Sequence, residues 1–97
     1  MYSLSLRPSA QKDIQQIVSY YDDINPLLSD RFLDEVYASL YLIESHPEGC
    51  QKRLGEIRMA FLKNFSFGIH YKIYNAKVVV ISVLHTSRSP KKWLRDD

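Results

Sequence analysis

The amino-acid sequence predicts an α+β fold in which a helical hairpin packs on a mainly antiparallel sheet of three to four strands. Apolar residues recur at helical spacing in two segments of the first half, whereas beyond residue 56 they alternate with a period of two. Only a short polar link separates the two helical segments. They are therefore expected to form an antiparallel hairpin that buries its apolar stripes against the sheet.

The chain begins with a predicted strand and a first helix. Apolar and polar residues alternate over residues 2–6, which is typical of a short half-buried strand. Ser9 is a suitable N-cap for a helix whose apolar stripe runs from Ala10 to Tyr21. The acidic and proline-containing segment 22–26 is expected to end this helix.

A second helix and a polar loop follow. Asn25 can cap this helix, with Pro26 at its first helical position. Apolar residues continue at helical spacing to Ser45, where the His46-Pro47 pair stops the helix. Residues 47–56 are polar and are expected to form a loop.

The second half predicts an antiparallel meander. Strands are expected at 57–62, 67–74 and 77–85, and the turn between the last two is Asn75-Ala76. Strand 77–85 is apolar on both sides, with Val78, Val80 and Leu84 opposite Val79, Ile81 and Val83. Two helices cover only one face of a sheet. The other face is therefore expected to expose an apolar strip rimmed by polar and cationic side chains, a suitable groove for a partner. The expected rim residues are Arg58, His70, Lys72 and Tyr74. Alternatively, the tail after Pro90 covers the strip with Trp93 and Leu94.

Length, composition and charge restrict the class of protein. The 97 residues support a single domain, residues 1–97, and a cytoplasmic location is expected because no signal peptide or membrane span is evident. The lone Cys50 and the scattered histidines show no ligand spacing, so neither a metal site nor a cofactor is expected. Residues 1–51 carry a net charge of −5 and residues 52–97 one of +7. This division favours an anionic partner, or mutual attraction between the halves.

Several motifs together resemble a known family. After the helix pair come Gly55-x-x-Arg58, the Phe65–Tyr71 strand and the ending Val83-Leu-His-x-x-Arg-x-Pro-x-x-Trp93. This order resembles the RelE/ParE superfamily of bacterial type II toxins, and the H-x-x-R-x-P ending is similar to the ParE branch. The resemblance implies a cognate antitoxin that is acidic or disordered at its C-terminal end. It also implies inhibition of DNA gyrase without catalysis.

The alternative within this superfamily is a ribosome-dependent mRNA endonuclease of the RelE type. Against the RelE-like pattern, three cationic positions fall on Ala60, Gly68 and Thr86. Since one charge-stabilising donor contributes about 10²–10³ in rate, three losses argue against an efficient nuclease. Other nucleases of the superfamily use His with Arg and Glu, so such a set stays open if the fold brings its members together. Its members here would be His85, His70, Arg58, Arg88 and Glu56. An inactive family member is a third possibility.

The candidate site follows from the sheet face and the C-terminal tail. No catalytic residue is expected; a nuclease would use Arg58, His85 and Arg88. Each tail residue also has a structural alternative to target contact. His85 is equally suited to capping or packing and Trp93 to closing the core. The alternative for Arg88 is an ion pair with the acidic helices. The residues expected to contact the target or the antitoxin are Arg58, His70, Lys72, Tyr74, His85, Arg88, Pro90, Lys91, Lys92 and Trp93.

Overall fold

A computed structural model describes residues 2–87 of the chain. The secondary-structure elements of this part of the chain are β1 (Ser3–Leu6), α1 (Pro8–Ile24), α2 (Pro26–Ser45), a single 3₁₀ turn (Pro47–Gly49), β2 (Lys52–Leu54), β3 (Ile57–Phe61), β4 (Phe67–Tyr74) and β5 (Lys77–His85). Neither helix is long and apolar enough to cross a membrane.

The described strands form one sheet in the order β1-β5-β4-β3-β2. β1 lies parallel to β5, and every other neighbouring pair is antiparallel. The predicted α+β architecture is confirmed, but the sheet has five strands rather than three to four. The additional strand is β2, which lies in the segment predicted as a polar loop. Its three residues are too few to show an alternating pattern.

A single residue, Asn25, connects α1 to α2. Its side chain accepts a hydrogen bond of 3.0 Å from the Leu27 backbone N–H, which confirms the predicted cap of α2. α1 continues through the acidic segment to Ile24. The prediction that Ser9 caps α1 is wrong, because α1 begins at Pro8 and the Ser9 hydroxyl donates to the Ile81 carbonyl.

The core lies between the hairpin and one face of the sheet, here called the helix face. Ile17 of α1 and Phe32, Val36 and Ile43 of α2 are buried in one cluster with the β4 and β5 side chains of this face. Those strand residues are Ile69, Tyr71, Val78, Val80 and Val83. This burial stabilises the hairpin on the sheet.

A β-bulge shifts the alternation of β5. His70 pairs with Ser82 and Tyr71 with Val80, so Ile81 is an extra residue on β5. The predicted assignment of the β5 side chains to the two faces of the sheet is therefore wrong beyond Val80. Val78, Val80 and Val83 lie on the helix face, whereas Val79, Ser82 and Leu84 lie opposite β4 residues of the second face.

Candidate functional site

Arg58 lies on the helix face and not, as predicted, on the second face of the sheet. It pairs directly with Tyr71, and residues directly opposite each other in antiparallel strands share a face. Its Nη1 donates hydrogen bonds to the carbonyl oxygens of Cys50 at 2.6 Å and Glu48 at 3.3 Å. The guanidinium group therefore stabilises the segment that connects α2 to β2.

Tyr71 holds the same segment from within the core. Its hydroxyl donates a hydrogen bond of 2.6 Å to the Pro47 carbonyl. Burial, followed by the adjacent Cys50 thiol, raises the pKa of Tyr71. The phenol is therefore protonated at neutral pH and serves as a donor. Arg58 and Tyr71 together satisfy three backbone carbonyls of residues 47–50.

The centre of the second face is buried. His70 is 1% exposed, Ser82 0% and Leu84 3%. The prediction of an open apolar strip is therefore wrong at its centre. The alternative, a cover formed by Trp93 and Leu94, lies outside the described residues.

Two of the predicted contact residues lie near the solvent-accessible end of this face. Lys72 pairs with Val79 and Tyr74 with Lys77, next to the predicted Asn75-Ala76 turn. Asn75 has a φ of 54°, the left-handed conformation expected of such a turn. Lys72, Tyr74 and Lys77 form a small basic and aromatic group at this end of the hairpin.

His85 ends β5 and caps the turn that follows it. Its Nδ1 accepts a hydrogen bond of 3.1 Å from the Ser87 backbone N–H, so the Ser87 hydroxyl, 2.7 Å from the same atom, is also a donor to it. The ring contacts Phe67 edge-on, with centroids 5.3 Å apart. His85 also lines a small cavity of about 120 Å³ with Asp13 and Gln16. The capping alternative therefore describes the geometry of His85, and its role in target contact stays a prediction.

The fold does not bring the predicted nuclease set together within residues 2–87. Arg58 is opposite Tyr71, and His85 is opposite Phe67, so the two are separated by four residues, about 13 Å, along β4. Glu56 is directed to Lys52, which it contacts at 2.9 Å, and this hydrogen-bonded ion pair lowers the pKa of Glu56. Other predicted contact residues, Arg88, Pro90, Lys91, Lys92 and Trp93, lie outside the described residues.

The three positions that lack the nuclease cations lie in different environments. A Cβ atom at Gly68 would overlap Met59 Sδ, so a side chain there would displace Met59. Ala60 lies half-buried on the helix face opposite Ile69. The Thr86 N–H donates to the Ser66 carbonyl at 2.9 Å.

A groove between α2 and β3 was missed by the sequence reasoning. It encloses about 440 Å³, and its lining includes Leu42, Cys50, Arg53 and Phe61. Leu42 is 63% exposed and Phe61 50%. The available signal was Leu42 itself, an apolar residue of α2 outside the core stripe. We call this feature the α2–β3 groove.

Comparisons with known proteins give the family. A model of the family described as "ParE toxin of type II toxin-antitoxin system, parDE" matches residues 4–90. The fold matches a solved chain from the "Chromosomal ParDE TA system from P. aeruginosa" with a TM-score of 0.77 and 15% sequence identity, covering 88% of this chain and 96% of that one. A search of curated proteins found no match. The predicted resemblance is confirmed, and the chain belongs to the ParE toxin family of type II toxin–antitoxin systems.

Proposed function

We propose that this toxin inhibits DNA gyrase without cleaving RNA, and that a cognate antitoxin neutralises it. The placement of Arg58 is the observation that carries the non-enzymatic part of the proposal. This residue is a cation of the nuclease set considered above, and its guanidinium donates hydrogen bonds to the backbone carbonyls of Cys50 and Glu48.

RNA cleavage requires a base, an acid and donors for the phosphorane charge within reach of one phosphate. On the described part of the chain, Arg58 and His85 lie on the strands at opposite sides of β4 and are also separated along the strand direction. The Met59 side chain fills the space beside Gly68. This arrangement favours binding to a target over catalysis.

The C-terminal tail is the proposed gyrase contact. His85 ends β5, and its hydrogen bonds with Ser87 stabilise the turn at residues 86–87. Arg88, Pro90, Lys91, Lys92 and Trp93 follow in the sequence and supply four basic or aromatic side chains and a rigid proline. Arg and Trp are common among the residues that dominate protein interfaces.

Purified chain with gyrase and relaxed plasmid tests the proposal. We expect inhibited supercoiling and accumulation of cleaved plasmid, together with intact mRNA in a translating extract. Arg88→Glu should abolish inhibition. Lys12→Glu, an identical charge change on the exposed surface of α1, is the matched control and should leave inhibition unchanged.

Two outcomes would contradict the proposal. Rapid cleavage of translated mRNA with unaffected gyrase would assign the chain to the nuclease class and make His85 and Arg88 catalytic candidates. Absence of both activities, with a correctly folded protein, would indicate an inactive family member.

A further inference from the structure

The end of β5 opposite to His85 lies at a corner of the sheet that exposes hydrogen-bond donors. Lys77 begins β5 and pairs with Ser3 of β1 on one side and with Tyr74 of β4 on the other. Residues directly opposite each other on neighbouring strands share a face of the sheet. These three side chains therefore form one row on the second face. Ser3 and Lys77 are exposed, and Tyr74 is 45% exposed.

A second row of side chains lies beside the first. Val79 pairs with Ser5 of β1 and with Lys72 of β4. Lys72 and Lys77 are therefore diagonal neighbours, whose backbone positions in an antiparallel pair are about 7–8 Å apart. Ser5 is exposed and Lys72 is half-buried. We call the polar side chains of these two rows the basic corner; they are Ser3, Ser5, Lys72, Tyr74 and Lys77.

The positive charge of the basic corner is not paired within residues 2–87. Neither of its two lysines forms an ion pair in this part of the chain. The hydrogen bond from Lys52, at 2.9 Å, is the main cause of the lowered pKa of Glu56, and the charge of Lys72 contributes less. The Glu56 carboxylate is therefore held by Lys52. Both lysines of the corner are available to an anionic partner.

The side-chain types of the basic corner specify the chemistry of that partner. Each of the five side chains carries an N–H or O–H donor, and none is acidic. Lys, Ser and Tyr are among the residues that donate hydrogen bonds to phosphate oxygens at protein–DNA interfaces. Two lysines on diagonal positions can contact neighbouring phosphates of one strand, while the hydroxyls donate to the same oxygens. Such contacts carry no sequence information, so binding should not depend on base sequence.

We propose that the basic corner binds the phosphate backbone of double-stranded DNA while the C-terminal tail contacts gyrase. This assignment rests on the proposed inhibition of gyrase, an enzyme that holds DNA where it acts. Lys77 and His85 lie at opposite ends of β5, separated by eight residues or about 26 Å along the strand. One toxin molecule can therefore reach the enzyme at one end of β5 and its DNA at the other.

The salt dependence of DNA binding tests the assignment directly. Fluorescence anisotropy of a short labelled duplex measures the affinity of the purified chain between about 50 and 200 mM salt. Lys72→Gln/Lys77→Gln should weaken binding about tenfold or more at the lowest salt. It should also reduce the slope of log affinity against log salt by about two, because each phosphate contact contributes about 0.9.

A matched double variant controls for net charge. Lys12→Gln/Arg31→Gln removes the same two positive charges from exposed positions on the helical hairpin. Its affinity for the duplex and its salt slope should equal those of the wild type. In a supercoiling assay with gyrase, about tenfold more of the corner variant should be needed for the same inhibition, whereas the hairpin variant should match the wild type.

The other outcomes separate this assignment from the proposed function. Wild-type inhibition of gyrase with no measurable DNA binding, or with binding unchanged in the corner variant, would overturn the DNA surface and leave gyrase inhibition intact. DNA binding through the corner without any inhibition would support the surface and overturn the proposed function. Tighter binding to single-stranded RNA than to the duplex would overturn the assignment to DNA. Displacement of the duplex by polyglutamate at equal charge would assign the corner to an acidic protein and also overturn it.

Discussion

The Val83 backbone N–H donates a buried hydrogen bond of 2.9 Å to Asp13 Oδ2, which joins the first helix to the last strand. β1 pairs with β5 only as far as Val80. Beyond that point, Ser9 and Asp13 of α1 bond the β5 backbone at Ile81 and Val83 in place of a neighbouring strand. Two helix side chains therefore complete the edge of β5 shortly before the chain reaches His85 and the tail.

Loss of the Asp13 carboxylate should destabilise the protein. A hydrogen bond to a charged group contributes about 1.5–3 kcal/mol, and Asp13 is 7% exposed, so Asp13→Ala should lower the free energy of unfolding by about 2 kcal/mol. Urea unfolding measures this change. The exposed Asp23 serves as the control, and Asp23→Ala should change stability by less than about 0.5 kcal/mol. Equal effects of the two substitutions would contradict the edge-completing role of Asp13.

Glu35 should make the stability of the protein depend on pH. Its carboxylate accepts hydrogen bonds from the backbone N–H groups of Lys63 at 2.8 Å and Asn64 at 3.0 Å, and one from the Asn64 side chain at 2.8 Å. Burial by itself favours the protonated form, but these bonds and the charge of Lys63 outweigh it, so the pKa of Glu35 is lowered. The unfolded chain therefore binds this proton at higher pH than the folded one.

The stabilisation from Glu35 should accordingly be complete above the ordinary pKa of a glutamate and disappear as the pH falls through the lowered folded-state pKa. Wild type and Glu35→Gln should differ most in unfolding free energy at neutral pH and converge as the pH falls through the lowered folded-state pKa of Glu35, as measured by urea unfolding at each pH. Asp34→Asn, at the adjacent exposed position, is the control for removal of a surface carboxylate. A constant difference across the range would show that charge does not contribute.

The sequence was sufficient where a local signal decides the structure. Asn25 and Pro26 mark the junction of the helices, and Asn75 marks the last turn, because each residue type has a strong backbone or capping preference at its position. β5 was predicted with its observed bounds because its apolar run ends in polar residues at both sides. Such signals require no knowledge of the partner strands.

The sequence was insufficient where cross-strand register decides. A period of two shows that Arg58 and Ile57 face opposite sides, but only the pairing with Tyr71 shows which side Arg58 shares with the helices. The bulge at Ile81 likewise exchanges the faces on which the side chains of the second half of β5 lie. No glycine or proline in β5 indicates this bulge in the sequence. The same limit applies to the expected rim of the second face: alternation placed Arg58 there with His70, Lys72 and Tyr74, but the register puts Arg58 on the helix face.

Arg58 should act through stability rather than by contact with the target. Arg58→Ala removes two hydrogen bonds to the segment between α2 and β2 and should lower the free energy of unfolding by about 1–3 kcal/mol, a decrease in Tm of several degrees. At a temperature at which the variant is folded, its inhibition of gyrase should equal that of the wild type. Calorimetry and supercoiling assays at two temperatures measure both effects. A fully folded Arg58→Ala protein without inhibition would instead support the predicted contact role.

Gly68 should be required because Met59 occupies the space beside it. A Cβ at Gly68 would overlap Met59 Sδ and Cγ, so Gly68→Ala should destabilise the protein by about 1–3 kcal/mol through overpacking. Met59→Ala removes the obstructing atoms, and the double variant should therefore be more stable than the sum of the two single changes predicts, a coupling of about 0.5–3 kcal/mol. Gly49→Ala is the control, because the nearest atom to its Cβ would be 3.9 Å away. Additive effects of Gly68→Ala and Met59→Ala would contradict this packing. Position 68 would then have room for a larger side chain, including the cation of the RelE-like pattern.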